Sequence, residues 1–153
     1  MQQSLAGSLH EVVGLLDRSG DLILKREVGL PYRQFYIVSA IARLGSATQR
    51  ELAEFVGHSD AAISRMVSVL AGVGLVTVQV DALNRRRNIV ILTVKGADLA
   101  QRAEALLDQK LTELLQQHNV DGSVLMALTL ELKNALQSAG SASRRLQLDG
   151  AAR

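Results

Sequence analysis

The chain has 153 residues, 48% hydrophobic and 21% charged, which is enough apolar material for one compact domain and too much for a wholly disordered chain. It has no cysteine, so disulfides, Cys-ligated zinc and thiol redox sensing are excluded together and any switch must use a ligand. The net charge of +2 is too small to argue for nucleic acid by itself; its distribution matters more than its total.

The N-terminus, MQQSLAGSLHEVVGLL, has no basic region before an apolar run and does not read as a signal peptide. No window approaches the roughly 18 apolar residues of a membrane span, so a cytoplasmic protein with no membrane partner is expected. From Leu5 to about Arg26, Leu5, Leu9, Val12, Val13, Leu16 and Ile23 recur at helical spacing and predict one long amphipathic helix, loosened by Gly14 and Gly20. Pro31 stops it and opens a second helix that runs to about Leu44 and ends at Gly45.

Thr48 with Glu51 three residues later has capping-box spacing and starts a third helix, with Leu52, Phe55 and Val56 as its buried stripe and Gly57 as its end. Ser59 caps a fourth helix, which turns Ile63, Met66, Val67 and Leu70 inward and leaves Ala61, Ala62, Ser64, Arg65 and Ser68 outward. Gly72 and Gly74 close it. The β-branched run Val76 to Val80, a polar loop from Asp81 to Arg87 and a second run from Asn88 to Thr93 then predict a β-hairpin with three successive arginines at its tip. A long Leu-rich helix from Val94 to about Gln117 follows, and after a break at Asn119 to Gly122 a last helix carries Val124, Leu125, Leu128, Leu132, Ala135 and Leu136. From about Ser138 the chain is small and polar and reads as a frayed tail, residues 138–153.

Two short helices, a Gly turn and a basic hairpin in this order predict a winged helix-turn-helix at residues 31–96. The second helix of such a unit enters the major groove. Ala61 or Ala62 can meet a thymine methyl, Ser64 can bond a base or phosphate, and Arg65 can reach guanine or phosphate; Ser59 and Ser68 complete that candidate surface. At the hairpin tip Arg86 is expected in the narrow minor groove with Arg85 and Arg87 beside it. A solvated turn is the bland alternative for any run of charge, and attachment to a recognition helix weighs against it.

These residues resemble the MarR (multiple antibiotic resistance regulator) family of winged-helix transcription factors. The resemblance rests on Thr48, Glu51, Leu52 and Ala53, on Ile63, Ser64 and Arg65, on Leu70, Gly74, Leu75 and Val76, on Arg86, Leu92, Thr93 and Gly96, and on the upstream run LPYRQFYIVSAIARLG. With the flanking helices it covers about residues 5–137. It implies a mainly α fold with a small β-wing, in which residues 1–30 and 97–137 form a helical dimerisation region, and a homodimer that binds palindromic or near-palindromic duplex DNA. The Leu-rich C-terminal helices independently expose more apolar surface than a lone small domain covers. The family wing usually has Asp two positions before its key arginine; here Asn84 stands there, an amide that accepts a hydrogen bond without contributing charge, and Asp81 is the nearest acid.

Many relatives are repressors released by small aromatic or phenolic anions held between the dimer-forming helices and the winged unit. Tyr32, Phe35 and Tyr36 cluster at the start of the second helix; Phe35 reads as core, and His10, Arg33 and Tyr36 are the candidate ligand residues. The three histidines, His10, His58 and His118, lack paired metal-ligand spacing, so no metal or other cofactor is expected. No nucleophile, phosphate loop or paired acid stands out, and an enzyme is not expected. The resulting expectation is a homodimeric, sequence-specific transcriptional regulator of the repressor type; the alternative is a winged-helix protein-interaction module whose basic tip is incidental.

Overall fold

The structure, a computed structural model, describes residues 4–82 and 84–151, with side chains described as far as residue 140. Its elements are α1 (Leu5–Val28), α2 (Tyr32–Leu44), α3 (Gln49–Val56), α4 (Asp60–Gly72), β1 (Val76–Val80), β2 (Asn88–Leu92), α5 (Val94–Gln117) and α6 (Gly122–Ala151). The chain divides into two units, Met1–Asp108 and Gln109–Arg153, the division falling within α5. Among the described residues no helix is long and apolar enough to cross a membrane.

The first unit is built around one apolar cluster. Leu52 of α3, with Ile63, Val67 and Leu70 of α4, is buried against Ile37, Val38 and Ile41 of α2 and Val90 of β2. Each such side chain contributes about 1.5–3 kcal/mol on leaving water. Leu24 of α1 and Ala100 and Ala103 of α5 belong to the same cluster, so the end of α1 and the start of α5 are part of this unit. Phe35 is buried as expected. Phe55 is not: α3 is only eight residues long, and its inward stripe is filled by Leu52 and Ala53, which leaves the Phe55 ring 46% exposed.

Local chemistry explains the boundaries. Gly29 ends α1 in the left-handed region at φ 66°. Pro31 caps α2 rather than opening it, and it has no side chain to cap with. Asp21 on α1 supplies that cap: its Oδ1 accepts from the Tyr32 amide at 3.0 Å while Lys25 pairs with Oδ2 at 2.6 Å. Gly20 does more than loosen α1. It is buried, and a Cβ there would press on the Tyr32 ring at 2.9 Å, so glycine makes the seat in which that ring lies. The capping box forms as expected, Thr48 Oγ1 accepting from the Glu51 amide and Glu51 Oε2 accepting from the Thr48 amide.

β1 and β2 pair antiparallel from Val76↔Leu92 to Val80↔Asn88. A third segment joins them, because Ala47, just before α3, exchanges both backbone hydrogen bonds with Val90 at 3.2 and 2.7 Å. The hairpin is also fastened where α5 begins. Thr93 Oγ1 donates to the Gly74 carbonyl at 2.7 Å, Lys95 Nζ donates to the Val73 carbonyl at 2.9 Å, and the Gly96 amide donates back to Thr93 Oγ1 at 3.0 Å. These bonds satisfy carbonyls left over at the end of α4.

In the second unit α6 runs to Ala151, past the stop expected near Ser138, and residues 152–153 lie outside the described residues. Residues 138–151 contain Ala, Leu and Arg among their serines and no proline, and the two glycines, Gly140 and Gly150, each cost only about 1 kcal/mol of helix propensity. Small, polar composition was therefore a poor signal for a stop. Every α6 residue from Gly122 to Gly140 is exposed.

Two outcomes follow. A Cβ on Gly96 would overlap the Leu75 carbonyl oxygen. Gly96→Ala is expected to cost about 1–3 kcal/mol or more, read as a lower urea midpoint; an unchanged midpoint would show that this junction yields freely. The second concerns Asp21, whose carboxyl is held below its ordinary range by the Lys25 hydrogen bond and then by the Tyr32 amide. A carboxyl lowered on folding stabilises fully above its unfolded pKa, and the effect is lost as pH falls through the folded one. The stability difference between wild type and Asp21→Asn is thus expected to hold near neutral pH and shrink below about pH 4, and a difference independent of pH would contradict it.

Candidate nucleic-acid interface

α4 presents the expected outward surface. Ala61, Ser64, Arg65 and Ser68 are exposed and Ala62 is half-buried, whereas Ile63, Val67 and Leu70 anchor the opposite face. Ser59 is the N-cap, its Oγ accepting from the Ala62 amide at 3.3 Å. Ser68 is less available than its position suggests, because its hydroxyl donates to the Ser64 carbonyl at 2.9 Å within the helix. The outward chemistry of α4 therefore rests on Ala61, Ala62, Ser64 and Arg65. Small side chains admit close approach of the helix, and the single guanidinium supplies both charge and a donor fork.

The three tip arginines are not equivalent. Asp81, Asn84 and Arg87 are bonded into a turn: the Asp81 amide donates to the Arg87 carbonyl at 2.8 Å, and the Arg87 amide donates to the Asn84 carbonyl at 2.9 Å. Asn84 Oδ1 accepts from the Arg86 amide at 3.1 Å, so the amide that stands at the family's acidic position orders the backbone of the turn. The Arg87 side chain bonds Glu51 Oε1 and lies 3.7 Å from an Asp81 carboxylate oxygen. Arg85 and Arg86 are exposed and have no ion-pair partner among the described residues.

Beside α4 lies an open cleft of about 1140 Å³ between α1, the start of α2 and the α3–α4 turn. Arg33 and Tyr36 line it, as do Ser59, Ala62 and Arg65 of the α4 surface. His10 does not. It sits on the exposed N-terminal part of α1, two turns from Asp17, which does line the cleft with Val13 and Leu16. Tyr32 and His58 line it as well. Burial, and then the Asp17 carboxylate, pushes the Tyr32 phenol above its ordinary pKa, so the ring presents a neutral hydroxyl. The four-residue step from Tyr32 to Tyr36 on α2 was a legible sign of one aromatic face; His58, in a turn, had no such sign. Among the described residues no group of three or more His, Asp or Glu side chains is assembled that could hold a metal ion.

Residues 28–87 match a family model described as the MarR family. The reduced form of MarR from E. coli is 26% identical, covers 89% of this chain and 98% of its own, and superposes with a TM-score of 0.75. A mutant MarR from E. coli complexed with operator DNA has the same fold at 22% identity and a TM-score of 0.65, covering 88% of this chain and 99% of its own. NadR in complex with 4-hydroxyphenylacetate does so at 20% identity and a TM-score of 0.73, covering 88% and 93%. A search of curated protein sequences finds no match. Residues 28–87 thus resemble the MarR family, within a chain that has the fold of MarR from E. coli.

Proposed function

We propose that the protein is a homodimeric, sequence-specific DNA-binding transcriptional regulator that acts as a repressor on palindromic or near-palindromic duplex sites. The observation that carries this reading is the joint placement of an exposed, small-residue α4 face with Arg65 and a hairpin tip with Arg85 and Arg86. One element suits the major groove and the other a narrow minor groove, where negative potential attracts guanidinium. MarR bound to operator DNA supports the same use of the fold. Dimerisation is supported by the apolar rows left open on two helices. Leu5, Leu9, Val12, Val13 and Leu16 are exposed on α1, and Val124, Leu125, Leu128, Leu132 and Leu136 on α6, more than a monomer leaves in water without a partner.

The cleft is the proposed effector site. Its tyrosines offer apolar faces and hydroxyls, and Arg33 and Arg65 offer guanidinium groups to a small aromatic carboxylate, the class to which NadR's 4-hydroxyphenylacetate belongs. Because Arg65 belongs both to the cleft lining and to the α4 surface, an anion that engages it withdraws it from DNA. This supports release by ligand.

Arg86→Ala is expected to weaken binding of the protein's own flanking intergenic duplex by about tenfold or more and to lower the salt slope by about 1, with an unchanged circular dichroism spectrum. Unaltered affinity in a folded variant would remove the wing from the mechanism. For the cleft, 4-hydroxyphenylacetate is expected to raise the melting temperature of wild type and to lose that effect in Arg33→Gln. An equal rise in both proteins would place the anion elsewhere.

A further inference from the structure

The contact between Glu51 and Arg87 links two parts of the chain that the DNA-binding reading treats separately. One carboxylate oxygen of Glu51 is already occupied, accepting from the Thr48 amide at 2.8 Å and from the Thr48 hydroxyl at 2.9 Å. The other oxygen accepts from Arg87 Nη2. Exposed ion pairs usually contribute little, in part because two long side chains must be immobilised in one geometry. Here the acceptor is immobilised beforehand by the α3 cap, and the donor rises from backbone held on both sides by the Asp81 and Asn84 bonds of the turn. Only the Arg87 side chain has rotamer freedom left to lose. Asp81 adds a second carboxylate to the same guanidinium at 3.7 Å.

This pair sits at the base of the tip, where a two-stranded hairpin has no further ladder to hold it and is marginal by itself. The strands end at Val80 and Asn88, and the arginine run follows directly inside that last pair.

We propose that Arg87 is a positioning residue, not a DNA contact: it locks the wing tip to the N-terminus of α3 through Glu51, and thereby sets where Arg85 and Arg86 meet the duplex. The inference rests on the DNA-binding function proposed above. It divides the three arginines into one internal clamp and two outward ligands, and it gives the α3 capping box a second task. The Glu51 carboxyl is held below its ordinary range first by the Thr48 bonds and then by Arg87, so it stays charged at neutral pH as the clamp requires.

The test uses the full-length protein, the flanking intergenic duplex as probe, and fluorescence anisotropy across a salt series. Glu51→Gln is the decisive variant, because glutamine still completes a capping box but carries no charge for Arg87. Loss of an acid beside a polyanion would by simple electrostatics tighten binding, whereas loss of the clamp weakens it. The expected result is a loss of about three- to tenfold in Glu51→Gln, a similar loss in Arg87→Gln, and no further loss in the double variant. The slope of log affinity against log salt is expected to stay at the wild-type value in both, since no phosphate contact is removed. Arg87→Gln leaves the cap intact, so the question remains open to measurement even if Glu51→Gln folds poorly. Equal or tighter binding by Glu51→Gln, or a slope reduced by about 1 in Arg87→Gln, overturns the clamp. Arg86→Ala is measured beside them: if it too binds like wild type, the DNA-reading wing itself falls, and if it alone weakens binding, only the clamp does.

Discussion

Val90 is the residue on which the geometry of the winged unit turns. Its side chain is fully buried in the core, while its backbone exchanges two hydrogen bonds with Ala47 and pairs with Val78 across the hairpin. Each such backbone bond contributes about 0.5–1.5 kcal/mol net, and the burial of Val90 and Ala47 shields the bonds from competing water. The consequence is directional. Ala47 immediately precedes the Thr48 cap of α3, so the root of the hairpin and the start of the helix-turn-helix are one joint. Gly74, Thr93, Lys95 and Gly96 form a second joint at the end of α4, and together the two determine how a basic tip stands relative to an exposed helix face.

Much of this was legible in the residues because the signals were local. Capping residues, glycine stops and hydrophobic period predict α1 to α5 and both strands to within about two residues of where they lie. What escaped depended on contacts between distant segments. The Ala47–Val90 bridge leaves no mark on a single alanine, and Asp21 caps a helix that begins eleven residues later. Gly20 looked like a weak point in a helix and proves to be the seat of the Tyr32 ring. The arginine run read as three like charges, whereas Glu51, thirty-six residues away, singles out Arg87. Phe55 and the end of α6 were misjudged for another reason: periodicity and composition do not record how much of a short helix can reach the core, or that a polar segment of good helix formers continues a helix.

The proposed function gives these joints a purpose. A regulator released by a small anion needs a site where ligand and DNA compete for something, and Arg65 and Ser59 belong both to the cleft and to the α4 surface. The buried face of α4 is rigid, with Ile63, Val67 and Leu70 almost wholly out of water. Under this reading an effector acts on α4 either through the Arg65 side chain or by tilting the helix as a unit, because a packed helix yields as a body more readily than it bends.

The central claim is that two such winged units, related by two-fold symmetry, read duplex DNA. Selection of bound sequences from a pool of random duplexes by the full-length protein tests it most directly. The expected result is enrichment of a two-fold-symmetric motif whose half-sites lie about 10 base pairs apart, one helical turn. Enrichment of an unsymmetric single site, or no enrichment at all, would contradict it.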